Sequence, residues 1–396
     1  MPPSVITPRP TVPASRRPPS PAGAGLRERT ARSLRSAAPA LLGYLAVRLL
    51  GLLVLARWAH LKGHGVWPVL AASWDSRWYL RIADRGYQDT LGTAMDSNNL
   101  AFFPLYPALV KAVAGVTPGS RASVALVLAV AFSMAAAWGV FAVGARLCGR
   151  RAGTVLTVLW GALPVGVVQW MGYTESLFTA LAAWALYAVL TGHWRTAASL
   201  AVLAGLTRPT GIAVAAAVAV AGLAVAVRTR AWRPFAAALT APLGWLGFVG
   251  WVGARVGRWD GYFAVQRLWR NTWDGGAGTL RWLRELLVYD RTPQLFLVAV
   301  SAVLVASVAL YALCLADRQP LPLLVFSGVL LLVVLGSGGV YFPRARFLLP
   351  AFPLLLPLAV AVGRARLPVA ALVLGAAALS SAWLGAYMLL VWPGPP

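Results

Sequence analysis

The chain has 396 residues, of which 59% are hydrophobic and only 12% charged, about half the charged fraction of a soluble domain. Such a composition excludes a soluble globular protein, which has no means of hiding so much apolar surface. The net charge of +24 comes from 35 basic and 11 acidic residues; the bases fall between apolar runs, so topology and lipid headgroups explain them and no nucleic-acid partner is expected.

Residues 1–36 are rich in Pro, Ser and Arg, with Glu28 as the one acid. This segment cannot bury a core and is expected to be a disordered cytoplasmic tail whose arginines hold the N-terminus inside. The remainder, 37–396, is expected to form one transmembrane domain. Its first span is 39–58, followed by a polar, Trp-rich loop to residue 100. The next run, AFFPLYPALVKAVAG (101–115), is apolar but short and contains Pro104, Pro107 and Lys111. It reads as an interfacial or re-entrant helix that does not cross.

Charge supports that reading. If 101–115 stays outside, the span 122–146 runs inward and delivers Arg146, Arg150 and Arg151 to the cytoplasm, as the positive-inside rule requires. The span 152–170 returns outward, and 177–191 goes in to His193–Arg195. A short half-span, 196–206, leads to the turn TRPTG (207–211), and 212–227 returns to Arg228, Arg230 and Arg233. The span 236–254 leads out to a second long loop, 255–292, and spans near 294–316, 321–337, 348–363 and 368–392 complete the chain. The expected architecture is an all-α polytopic membrane protein of about eleven spans, with two long extracytoplasmic loops, N-terminus inside and C-terminus outside. The seven arginines of the second loop fit least well, although long loops obey the rule weakly.

In this topology Asp75, Asp84, Asp89, Asp96, Glu175, Asp260, Asp274, Glu285 and Asp290 all lie in extracytoplasmic loops, and no acid sits mid-span. Proton-coupled transporters keep ionisable groups near the midplane, so the distribution favours chemistry at the outer membrane–water boundary. Cys148 and Cys314 form no framework, and His60 and His64 are separated by Gly63 and followed by Gly65, so neither a metal nor a cofactor is expected. No Gly-rich phosphate cradle is present either.

Several short clusters carry candidate chemistry. SWDSRWYLRIADRGY (73–87) sets Asp75 between Trp74 and Trp78, with Tyr79 beside them. A carboxylate at the membrane surface, walled by aromatic rings, suits a general base; the same residues equally suit an interfacial aromatic belt. FFPLYP (102–107) offers Phe103 and Tyr106 on a stiff, Pro-bounded wall for stacking on a sugar, or simply a helix entry. GYTESLF (172–178) places Tyr173 and Glu175 at the start of an inward span, where an acid is also ordinary dipole chemistry. Arg208 in TRPTG stands in a notch at the boundary, suited to a lipid phosphate or to snorkelling. YFPRARF (341–347) adds Arg344 and Arg346, and RWDGYFAVQRLWR (258–270) adds Gln266 and Trp269.

Taken in order, WDSRWYLRIADRGY, FFPLYP, GYTESLF, TRPTG, the GRWDGYFAVQRLW loop and the late Arg turn before LLPAFP resemble the PIG-V mannosyltransferase family of GT-C membrane glycosyltransferases. The resemblance covers about residues 40–360 and is tightest in the first half. Where eukaryotic members carry an Arg-Ser-Asn-Gly-like turn, this chain has Arg208-Pro209-Thr210-Gly211.

The resemblance implies a GT-C-like bundle, a polyprenyl-phosphate-mannose donor, inverting transfer to a glycolipid, glycan or protein acceptor, and Asp75 as the base. Glu175 is the second catalytic candidate. Trp74, Trp78, Tyr79, Phe103, Tyr106, Tyr173, Arg208, Gln266, Trp269, Arg344 and Arg346 are the binding candidates. A lipid-phosphate leaving group departs as an anion and calls for positive charge rather than a general acid. An oxocarbenium-like sugar calls for a nearby carboxylate. A lipid or sugar transporter or flippase, and a catalytically inert partner of another membrane enzyme, are the other readings.

The topology is testable directly. Cysteines replacing Ala94 and Ser120 are both expected to react with an impermeant thiol reagent from outside. Labelling of Ala94→Cys alone means that 101–115 crosses and that the parity of all later spans is reversed.

Overall fold

The computed structural model describes residues 26–396, and those residues are helical throughout, apart from loops and one isolated antiparallel bridge between Trp273 and Ser337. Of these, 37–396 form one compact unit, and 26–36 fall outside it. Helix α1 (Leu26–Leu61) begins inside the segment read as a disordered tail, so the end of that segment is helical; residues 1–25 lie outside the described residues.

Two short helices follow, α2 (Val66–Ala71) and α3 (Asp75–Arg85). Helix α4 (Leu105–Ala114) has 10 residues, about 15 Å of rise, which is too short to cross the ~30 Å hydrocarbon core. Helix α5 (Arg121–Gly161) contains two arms. At Gly149 the backbone takes φ 87°, a left-handed value open to glycine, and the chain turns back on itself. Gly144 and Gly153 let the arms touch: a Cβ on Gly153 would lie 2.7 Å from the Ala145 nitrogen, and one on Gly144 2.9 Å from the Gly153 Cα.

The second arm stops at Gly161, so the run 152–170 is not the continuous span read from hydropathy. Pro164 lacks an N–H and disfavours helix in the residue before it, which ends the arm early. The chain continues as a 3-10 segment, Gly166–Trp170. Then come α6 (Glu175–Leu190), α7 (Trp194–Gly205) and α8 (Gly211–Thr229). Pro242 separates α9 (Trp232–Thr240) from α10 (Leu243–Arg255).

The second long loop is itself helical, holding α11 (Gly261–Leu268) and α12 (Ala277–Arg284), the latter extended by a π turn, Glu285–Tyr289. Helices α13 (Leu295–Ala316) and α14 (Leu321–Gly336) precede the short α15 (Arg344–Phe347). The run 348–363 also departs from a single span: Pro350, Pro353 and Pro357 break it into a 3-10 turn, Phe352–Leu355, and α16 (Leu356–Arg364). Helix α17 (Leu367–Leu390) completes the bundle.

Among the described residues, 6 helices are long and apolar enough to cross a membrane, and four shorter apolar helices accompany them. Their packing uses small side chains. Ala136, Ala137, Ala182, Ala183, Ala213 and Ala217 are fully buried, and a Cβ on Gly139 would meet Ala183 at 2.9 Å. Close backbone approach of this kind is how helices associate where lipid removes the hydrophobic driving force.

A basic residue is also buried in the bundle. Arg48, on α1, is 4% exposed. Its Nη2 donates to the Gly161 carbonyl and to Ser381 Oγ at 3.1 Å, and Ser381 Oγ donates to the Leu163 carbonyl at 2.7 Å. The arm that Pro164 cuts short thus has its last carbonyls satisfied from a neighbouring helix, as an apolar interior demands. Arg48→Met is expected to leave Gly161 and Ser381 short of a donor, at about 1–3 kcal/mol for each orphaned group. Thermal unfolding in detergent measures this, with Arg48→Lys expected to fall between wild type and Arg48→Met.

Candidate active site

Four charged side chains from four separate segments meet at a cavity of about 460 Å³. Asp75 is the first residue of α3 and Glu175 the first of α6, so each carboxylate stands where free backbone N–H groups and the helix dipole favour an anion. Arg208 comes from the turn between α7 and α8, and Arg346 from α15.

Backbone contacts draw the motifs together. Gly172 N donates to the Leu70 carbonyl at 2.9 Å. A Cβ at Gly172 would sit 3.2 Å from both the Ala71 carbonyl and Ser76 Oγ, so this seam is tight at glycine. Tyr79 Oη and Thr174 Oγ1 are 3.2 Å apart. Leu105 N donates to the Leu206 carbonyl at 2.9 Å, joining FFPLYP to TRPTG, and Trp245 Nε1 holds the Pro209 carbonyl at 2.9 Å. Just before Asp75, Trp74 adopts φ 46° and ψ −114°, a conformation costly for a bulky residue.

The charges form one connected network. Arg346 Nη2 is bonded to Asp75 Oδ2, and Arg346 Nε lies 3.8 Å from Glu175 Oε1. Arg208 Nη1 lies 3.2 Å from the same Glu175 oxygen. Glu175 is 3% exposed, Arg346 5% and Arg208 6%. The Phe347 ring serves both cations, with its centroid 5.4 Å from the Arg208 guanidinium carbon and 5.2 Å from that of Arg346. Tyr173 supports Arg346 at 5.1 Å, and Phe178 supports Arg208 at 5.7 Å.

Burial works to lower the Arg346 pKa, but the charges of Asp75 and Glu175 outweigh it and the net direction is up; the guanidinium stays charged. Burial, reinforced by the same two carboxylates, pushes the Tyr79 phenol well above its ordinary value, so it remains a neutral donor. Four buried N–H positions nevertheless have no hydrogen-bond partner: Nε and Nη1 of Arg208, and Nε and Nη1 of Arg346. The 3.2 Å approach to Glu175 gives Arg208 an ion pair without hydrogen-bond geometry. Two buried cations with spare donors beside a cavity can receive an anion with several oxygens.

Of the residues singled out from sequence, Asp75, Tyr79, Phe103, Glu175, Arg208, Gln266, Trp269 and Arg346 line the cavity. Trp78 stands behind, stacked on the wall residue Phe102 at 5.6 Å. Tyr106 is fully buried, donates to the Ala125 carbonyl at 2.7 Å and meets Tyr79 edge-on. Tyr173, which lies against Arg346, and Trp74 do not line the cavity.

Arg344 belongs elsewhere. It is bonded to Thr279 Oγ1 and to the Ser337 carbonyl at 2.6 Å, tying α12 to the loop after α14. Positions two apart on a helical turn point about 200° apart, so one of the pair faces the cavity and the other faces away. Sequence reasoning missed Phe102, Thr174, Thr207 and Phe347, and also Asp96 and Arg270, whose 3.2 Å ion pair joins the two long loops at the exposed rim. Phe102 and Phe347 lay inside quoted motifs, and only their aromatic neighbours hinted at a wall.

No family model matches the chain, and no curated protein matches it. Among solved structures, it is similar to the Archaeoglobus fulgidus oligosaccharyltransferase tethered with an acceptor peptide containing the NVT sequon. The TM-score is 0.46 at 13% identity, covering 89% of this chain and 56% of the other. The apo form of that protein gives a TM-score of 0.46 at 14% identity with the same coverages. The chain thus spans a little over half the length of these structures. The PIG-V resemblance rests on the motifs alone.

The network's internal dependence is measurable. Glu175→Gln leaves Arg208 buried without a carboxylate and is expected to cost about 3–5 kcal/mol. The double variant Glu175→Gln/Arg208→Met removes both charges and is expected to recover much of that loss. Thermal unfolding of the two single variants and the double variant gives the coupling.

Proposed function

We propose that the chain is a GT-C-like membrane glycosyltransferase that moves a mannosyl group from a polyprenyl-phosphate donor to an extracytoplasmic acceptor with inversion. The observation that carries the reading is the pair of buried guanidiniums, Arg208 and Arg346, which line the same cavity as the Asp75 carboxylate and keep N–H groups without a hydrogen-bond partner. A phosphate held there places positive charge where the leaving group develops its negative charge. The motif series that resembles the PIG-V family supplies the sugar and the donor class.

In this mechanism the acceptor hydroxyl oxygen attacks the anomeric carbon from the face opposite the phosphate. The bond from that carbon to the phosphate oxygen breaks, and polyprenyl phosphate leaves with the bonding electrons, stabilised by Arg208 and Arg346. The acceptor proton passes to Asp75. The donor phosphate competes with Asp75 for Arg346, so donor binding releases the carboxylate for its task. Glu175, more deeply buried and shared between both arginines, orients the cations. Tyr79, Phe102, Phe103 and Trp269 provide ring faces and edges for the sugar and the lipid. The reading extends to a multi-pass arrangement of about eleven spans, N-terminus inside, with 1–36 as a cytoplasmic tail and the cavity on the outer side. The acceptor is a glycolipid, a glycan or a protein.

The purified protein and radiolabelled polyprenyl-phosphate-mannose test the proposal, with transfer followed and other polyprenyl-phosphate hexoses as competitors. Asp75→Asn is expected to lose about 10²–10⁴ in turnover with donor binding retained, and Arg208→Ala to lose donor affinity. If Asp75→Asn stays near wild type while Glu175→Gln is inactive, the two carboxylates exchange roles. If both remain active, the enzyme reading fails.

A further inference from the structure

A second cavity, about 540 Å³, shares no residue with the first and falls within the usual range of ligand sites, about 300–1,000 Å³. It lies between α7 and α9. The small side chains of Ala198, Ser199, Ala236 and Ala237 leave the space between the helices unfilled, and Val202 and Leu203 complete an apolar lining. From Arg195 to Leu203 the slot follows α7 for about 12 Å.

One end of the slot is strongly basic. Arg195 and Arg233 line it, and each guanidinium carbon lies 5.9 Å from the Trp232 ring centroid, which brings the first turns of α7 and α9 together. Arg228 and Arg230 stand at the end of α8, immediately before α9 begins. Among the described residues, none of these four arginines forms an ion pair. Trp232 is 63% exposed beside them, and an indole among arginines at a helix end is the composition of a membrane interface. An apolar slot within the apolar helices, open at an unneutralised basic rim, matches a molecule with a hydrocarbon tail and a net negative head.

We propose that this groove binds one anionic phospholipid of the surrounding bilayer, with an acyl chain between α7 and α9 and the phosphate on Arg195 and Arg233. A zwitterionic lipid brings its own cation to the same rim and forfeits the charge match. The proposal does not depend on the transferase reading.

The full-length protein, exchanged into detergent to remove co-purified lipid, is titrated with phosphatidylglycerol or phosphatidylcholine of identical acyl chains and followed by native mass spectrometry. One phosphatidylglycerol is expected to remain bound with at least about tenfold preference over phosphatidylcholine, a differential of about 1.4 kcal/mol. The Arg195→Gln/Arg233→Gln double variant is expected to bring that preference close to one. Ser199→Trp fills the slot from an exposed position and is expected to abolish retention at unchanged unfolding temperature. Equal retention of both lipids by the wild type, equal retention of phosphatidylglycerol by wild type and both variants, or a tightly held protein subunit in the groove would each overturn the proposal. If the single-site variant fails to fold, the double variant decides alone.

Discussion

Burying a guanidinium in an apolar bundle is costly unless a carboxylate comes with it, and here two cations share two carboxylates within one contiguous network. The arrangement constrains the rest of the fold. Arg208 and Arg346 must reach Glu175 from different helical connections, so the chain must stop α7, start α8 and turn α15 at the same depth. Phe347 lies against both cations and fixes their separation. The seam at Gly172 and the Leu105–Leu206 bond then bring Asp75 and the aromatic wall to the same place. What stabilises the folded protein and what shapes the cavity are therefore largely the same contacts.

Interrupted helices are the means by which this is achieved. Pro164 and the prolines around 350–357 end helices short of a full crossing, and each early stop leaves polar backbone that an apolar interior cannot tolerate. Arg48 answers one of these stops. Glu175 begins the helix that follows the stop at Pro164. The Gly149 turn and the Gly144–Gly153 approach then let two arms of one helix pack back to back, leaving room for the small-residue core around them.

This explains what was legible in the sequence and what was not. The membrane class, the all-helical fold and the shortness of the helix within 101–115 followed from run length and proline content. Asp75, Glu175 and Arg208 were visible because charged residues are rare beside apolar runs and stand out at their ends. That they touch was not visible, since contact depends on where broken helices stop in three dimensions. Hydropathy also joined 152–170 into one span, because Ala, Leu and Val look alike on either side of Pro164. Arg344 and Arg346 were indistinguishable by composition; only the phase of a single helical turn separates the one that reaches the cavity from the one that anchors α12. The strain at Trp74 had no sequence signal, as nothing in Ser-Trp-Asp marks a left-handed residue.

The rim pair of Asp96 and Arg270 belongs to a different electrostatic regime from the network beneath it. Its side chains are 46% and 65% exposed, and an exposed pair is worth about 0–1 kcal/mol and weakens as ions are added. The buried arginines feel little of that screening. Ionic strength therefore acts on the two separately: a saltier medium loosens the connection between the two long loops, while the ion pairs of the interior are largely preserved. Rim and interior are thus two separate dielectric environments within one cavity.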